Sequence, residues 1–128
     1  MEFNSNVTVL YLDDEIINLK VVELTLGRYF NVLIFGKVED ALEEISKNSK
    51  ITHVISDLLM PDTNGIEFIK KVKTLNNFVK CYIHSGVNIT DEIKEALSNK
   101  LIDDFFEKPL NLDYIYDSIT SSEKINFT

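Results

Sequence analysis

The stretch Val54-Ile55-Ser56-Asp57-Leu58-Leu59-Met60-Pro61-Asp62 decides the fold, because two adjacent apolar residues and a serine lead into an acid and then into a loop. A strand with one face in water alternates apolar and polar residues, whereas a strand covered on both faces is apolar at successive positions. Segment 53–56 therefore predicts a strand sandwiched between helices, with Asp57 at its mouth.

Working outward, four more short apolar runs lie at 7–12, 32–35, 79–85 and 101–106. Segments of helical period separate them. Val38, Ala41, Leu42 and Ile45 fall at i, i+3, i+4 and i+7, and Leu112, Ile115, Tyr116 and Ile119 repeat that spacing. A helix over about 15–29 carries Leu19, Val22, Leu26 and Tyr29, and another carries Phe68, Ile69, Val72 and Leu75. Ile93, Ala96 and Leu97 mark the last, with Thr90 as its N-cap and Asp91 and Glu92 in the first turn, where the helix dipole favours acids. Strands alternating with helices predict an α/β fold, a parallel sheet with helices over both faces.

The 128 residues are one ordinary domain in size, and a 45% hydrophobic content is enough for a real core. We expect a single domain over 1–128, with its core at 7–119 and a short polar tail at 120–128, and no repeat or linker. The net charge of −8 argues against direct nucleic-acid binding or an anionic lipid surface, since both need clustered Lys and Arg. The first six residues lack the basic and apolar parts of a signal peptide, and no apolar run approaches the roughly 20 residues that span a bilayer. A single cysteine, Cys81, set among Val79, Tyr82 and Ile83, reads as a small buried hydrophobe. The expectation is a cytoplasmic protein with no membrane insertion.

Ligands of open parallel sheets collect at the carboxyl ends of the strands. Past the first run stand Asp13, Asp14 and Glu15; past the third, Asp57; at the end of the fourth, Ser85 before Gly86; past the fifth, Lys108 before Pro109. Singly, each has a plain explanation: a helix cap, a turn acid, a turn serine, a solvated lysine. Jointly, they gather carboxylates, a hydroxyl and an ammonium at one edge. Crowded carboxylates repel unless a cation joins them, and Mg²⁺ suits such hard oxygens.

In order and spacing these residues resemble the receiver domain of bacterial two-component response regulators, over about 7–119, in the chemotaxis-regulator-like, single-domain form. The likeness rests on Leu12-Asp13-Asp14-Glu15, Asp57 with Met60-Pro61 and Gly65, Ser85-Gly86, and Lys108-Pro109. It implies a doubly wound, five-stranded parallel sheet in the flavodoxin-like order 2-1-3-4-5, with five helices. It also implies that Asp57 is the phosphoacceptor of a two-component or phosphorelay system. By the same likeness Mg²⁺ is held by Asp13, Asp14, Asp57 and the backbone carbonyl of Leu59, while Ser85 and Lys108 bind the phosphoryl oxygens. The Lys108–Pro109 peptide is often cis in such domains. Ser85 and Phe105 form the switch, read out on the face of the fourth helix, fifth strand and fifth helix. The phosphoryl donor would be a sensor histidine kinase or a phosphotransfer protein, and the output partner a downstream effector protein. No catalysis is expected beyond self-phosphorylation and slow autodephosphorylation.

Two residues depart from the commonest pattern of the resemblance: His84, where an apolar residue or threonine is frequent, and Phe105, where many members have tyrosine. His84 and His53 both read as core histidines. Three rival readings fare worse. A flavin binder needs a phosphate cradle where Asp13-Asp14-Glu15 stands. An aspartyl-phosphate hydrolase would leave Asp57 idle, and a pseudo-receiver would lack an acid or the lysine.

Overall fold

In the computed structural model, which describes residues 1–125, the apolar runs become the strands of one sheet. The strands are β1 (Asn4–Leu12), β2 (Phe30–Phe35), β3 (His53–Asp57), β4 (Lys80–Ser85) and β5 (Asp104–Glu107). Between and after them run α1 (Ile16–Leu26), α2 (Val38–Lys47), α3 (Gly65–Leu75), α4 (Asp91–Ser98) and α5 (Leu112–Ile125). All pairings are parallel and the order is β2-β1-β3-β4-β5, the doubly wound arrangement the resemblance implies.

Every residue of β3 is buried, the polar His53, Ser56 and Asp57 along with the apolar Val54 and Ile55, as expected of a strand covered on both faces. Side chains alternate between two cores. Val9, Tyr11, Ile55, Tyr82 and Phe106 meet Leu19, Val22 and Leu26 of α1 and Ile115 and Ile119 of α5. On the other face Leu10, Leu12, Val54, Cys81, Ile83 and Phe105 pack with buried residues of α2, α3 and α4. Each such aliphatic or aromatic side chain taken from water contributes roughly 1.5–3 kcal/mol. Cys81 is buried and forms no disulfide.

The end of α1 and the start of β5 differ from the sequence expectation, each for a local reason. Helix α1 stops at Leu26, and 27–29 turn through Arg28 N–H to Thr25 O and Tyr29 N–H to Leu26 O, so Tyr29 is not helical. Residues 101–103 are not strand. Lys100 takes a left-handed φ of 63°, and the N–H groups of Leu101 and Ile102 both donate to Ala96 O, which closes the end of α4. Their apolar character serves that closure, with Ile102 buried, and β5 begins only at Asp104. Thr90 caps α4 as expected, its Oγ1 accepting from Ile93 N–H. Helix α5 runs on to Ile125, through part of the segment read as a polar tail; 126–128 lie outside the described residues. No helix among the described residues is long and apolar enough to cross a membrane.

Candidate functional site

Because all five strands point the same way, their carboxyl ends open on one edge, and β1 and β3 are neighbours there. Asp13 follows β1 and Asp57 ends β3. One ligand oxygen each from Asp13, Asp14 and Asp57 fall within 4.8 Å of one another. Asp13 and Asp57 are buried, whereas Asp14 is exposed at the mouth. Neither Asp13 nor Asp14 provides the N-cap of α1, which is Glu15 with no side-chain cap bond.

Lys108 reaches in from the loop after β5, its Nζ 3.0 Å from Asp13 Oδ2 and 3.3 Å from Asp57 Oδ1. The Lys108–Pro109 peptide beside it is cis. Burial alone would lower the lysine's pKa, but its hydrogen bonds to and the charges of both carboxylates outweigh that and hold it above its usual value. Asp57 moves in the same direction for a different reason. Burial first and the Asp13 charge second raise its pKa, while Lys108 and the Leu58 N–H pull it down without prevailing. One ammonium thus serves two buried carboxylates, with a third acid at the rim. That excess of hard anionic oxygen fits a divalent cation such as Mg²⁺.

The remaining expected residues frame this cluster. Leu59 forms an isolated antiparallel bridge with Asn64, which fixes the backbone of the loop after β3 and leaves the Leu59 side chain outside. Gly65 opens α3 hard against β3. A Cβ there would run into the Asp57 carbonyl oxygen and lie 2.8 Å from Ile83 Cδ1 and 3.1 Å from Ser56 Oγ. Ser85 Oγ accepts from Val87 N–H at 3.2 Å, and among the described residues no hydrogen bond joins it to the acids or Lys108. Phe105 is already buried, in the same core as Ile93 and Ala96 of α4. Ile83 pairs with Phe105 and Ser85 with Glu107, so Ser85 and Phe105 share the sheet face that α4 covers.

Sequence reasoning missed two participants. Asn18, in the first turn of α1, donates from Nδ2 to Asp13 Oδ2 at 3.2 Å, and only its i+5 spacing from Asp13 could have hinted at this. Tyr11 stands inside an apolar run, yet its hydroxyl lies 3.3 Å from Asp13 Oδ2 and 2.8 Å from His84 Nδ1. Burial, followed by the charges of Asp13 and Asp57, pushes the phenol well above its usual pKa, so it is protonated. His84 is also buried, and burial with the nearby Lys108 charge brings its pKa down to about 4, leaving a neutral ring.

The response regulator receiver domain model matches residues 9–120. Among curated proteins, the transcriptional regulatory protein ZraR of Klebsiella oxytoca is 28% identical over 123 residues, 95% of this chain and 27% of that protein. The chain spans about a quarter of the length of ZraR and of other curated relatives it matches. A CheY-like receiver domain protein from Methanospirillum hungatei superposes with a TM-score of 0.80 at 21% identity, covering 92% of this chain and 94% of that one. The chemotaxis protein CheY4 of Vibrio cholerae gives 0.80 at 23% identity, with 91% and 98% covered. At these identities the structural likenesses speak to the fold.

Proposed function

The chain belongs to the response regulator receiver domain family, and from that premise we propose that it is a phosphoacceptor whose Asp57 takes a phosphoryl group in a Mg²⁺-dependent reaction. The observation that carries this is the bridging of Asp13 and Asp57 by Lys108 at the carboxyl edge of the sheet, with Asp14 beside them. Asp13, Asp14, Asp57 and the Leu59 carbonyl would hold the ion. Bound there, Mg²⁺ would supply charge neutralisation for phosphoryl oxygens approaching three acids.

The chain's own groups have separate duties. An Asp57 carboxylate oxygen attacks phosphorus, and the bond from phosphorus to the donor's leaving atom breaks, its electron pair leaving with the donor. Lys108 is within reach to exchange its carboxylate contacts for a phosphoryl oxygen. Ser85 gives up the Val87 N–H to meet another oxygen, and that rearrangement moves the loop between β4 and α4. Phe105, packed beneath α4 on the same sheet face, changes its packing in response. The signal then emerges on the surface of α4, β5 and α5. Leu59 and Val87, apolar and exposed at the mouth, offer no group to orient an attacking water, so hydrolysis is slow.

The donor is a sensor histidine kinase or a phosphotransfer protein, and the recipient of the signal is a protein effector. Residues 1–128 act as one receiver unit. A cytoplasmic setting agrees with the buried cysteine in its thiol form.

Incubation with acetyl phosphate, with and without Mg²⁺, followed by intact mass tests the reading. One added phosphoryl group is expected only with Mg²⁺, and none in Asp57→Asn. An unmodified parent protein with both reagents present would contradict it and favour a pseudo-receiver.

A further inference from the structure

The Tyr11 hydroxyl stands between two partners and has one proton to give. It lies 2.8 Å from His84 Nδ1 and 3.3 Å from Asp13 Oδ2, and all three residues are buried. His84 Nε2 is buried and has no hydrogen-bond partner among the described residues. These contacts discriminate between the possible proton arrangements.

Suppose Tyr11 donated to His84 Nδ1. The ring proton would then sit on Nε2, an N–H donor buried with no acceptor, and the phenol lone pairs would face the Asp13 carboxylate. Both features cost free energy. A doubly protonated ring strands the same Nε2–H donor. Suppose instead that His84 Nδ1–H donates to the phenol oxygen. The phenol O–H is then available to Asp13, both contacts become hydrogen bonds, and one of them is charge-assisted. The atom left alone is a bare acceptor, which proteins tolerate more readily than an orphaned N–H.

We propose that Tyr11 and His84 form a positioning pair for Asp13, with His84 Nδ1–H donating to the Tyr11 oxygen and Tyr11 O–H donating to Asp13 Oδ2. Neither residue touches the reacting atoms. The pair is set across three strands, since β1 and β4 are separated by β3, and it spans the sheet face beside Asp57. Asp13 is held on both oxygens: Oδ1 accepts from Glu15 N–H at 3.0 Å, and Oδ2 accepts from Asn18, Lys108 and Tyr11. Of these donors to Oδ2, Lys108 is the one that leaves for a phosphoryl oxygen. When it does, Tyr11 and Asn18 alone keep Oδ2 oriented. Partners behind a metal-binding side chain typically matter by about 10–100-fold in metal affinity.

This inference rests on the proposed Mg²⁺ site, and its test separates the two. In the parent protein, a long-range ¹H–¹⁵N correlation spectrum of the histidine rings reads the tautomer without metal or variant. Protonated Nδ1 and bare Nε2 are expected for His84, and a protonated Nε2 would overturn the pair. Tyr11→Phe removes only the hydroxyl. Its Mg²⁺ affinity, followed by amide shifts, should fall about tenfold, and His84→Val should add no further loss in that background. A Tyr11→Phe protein that binds Mg²⁺ as the parent does would overturn the positioning role alone. A parent that binds no Mg²⁺ would overturn the proposed site itself, while the tautomer would still decide the pair.

Discussion

Two buried histidines sit on the same face of the sheet at opposite ends, and their surroundings separate scaffold from site. His53 opens β3 at the amino edge, where Nδ1 meets Thr52 Oγ1 at 2.7 Å and the ring stacks on Tyr82 with centroids 6.0 Å apart. His84 lies near the end of β4 at the carboxyl edge, where Tyr11 links it to Asp13. Burial is the first cause in both cases, and it takes both rings down to about 4. A perturbed pKa therefore does not mark the functional residue here. The next partner does: a threonine and an aromatic ring at one end, a carboxylate cluster at the other.

The comparison can be sharpened first at the scaffold end. A base whose folded pKa lies below its unfolded value takes up its proton on unfolding. The stability His53 contributes is thus complete above pH 6.5 and is lost as pH falls through about 4. A fall from 6.5 to about 4 corresponds to about 3 kcal/mol, and urea unfolding at a series of pH values should reveal it. In His53→Asn that part of the acid slope should vanish while Mg²⁺ binding persists. An unchanged slope would break the assignment of His53 as a neutral scaffold residue.

A smaller effect is expected where scaffold and site meet. Gly65→Ala forces a methyl against the Asp57 carbonyl and Ile83, an overpacking that typically costs about 1–3 kcal/mol. It should weaken both folding, measured in urea, and Mg²⁺ binding. Away from the carboxyl-edge cluster, Thr90→Ala removes the α4 cap and should cost about 1 kcal/mol in the same assay, leaving Mg²⁺ affinity untouched.

The smallest effect has the opposite sign. Asp57 has a folded pKa above its unfolded value of 3.8, so the stability it contributes is present below 3.8 and is lost as pH rises through the folded pKa. At neutral pH the ionised carboxylate is a net cost. Asp57→Asn should melt slightly higher than the parent at pH 7 by calorimetry, and that advantage should shrink in acid. An Asn variant that melts lower at pH 7 would mean that Lys108 more than compensates for the burial of Asp57.

Much of this was legible in the sequence because burial on two faces writes itself as consecutive apolar residues, as at Val9-Leu10-Tyr11-Leu12 and Val54-Ile55, and because strand ends are where parallel sheets expose polar groups. Asp13, Asp14, Asp57 and Lys108 were found that way, and the structure brings them together. The run at 101–106 misled because a helix end and a buried strand both call for apolar residues; only the left-handed backbone at Lys100 distinguishes them. Tyr11 and His84 were invisible as a pair, since their meeting depends on β1 and β4 flanking β3, and no local period links positions so far apart. The Ser85 hydroxyl's bond to Val87 N–H is likewise a matter of loop geometry, not of residue type.

The central claim is that one carboxylate, Asp57, carries the phosphoryl group. Borohydride reduces an acyl phosphate to an alcohol, so trapping the acetyl phosphate-treated, Mg²⁺-loaded protein and mapping its peptides reads the acceptor directly. The account predicts homoserine at position 57 alone, and none when Mg²⁺ is withheld. Reduction at Asp13 or Asp14, or a folded Mg²⁺-bound protein with no reduced residue, would contradict it.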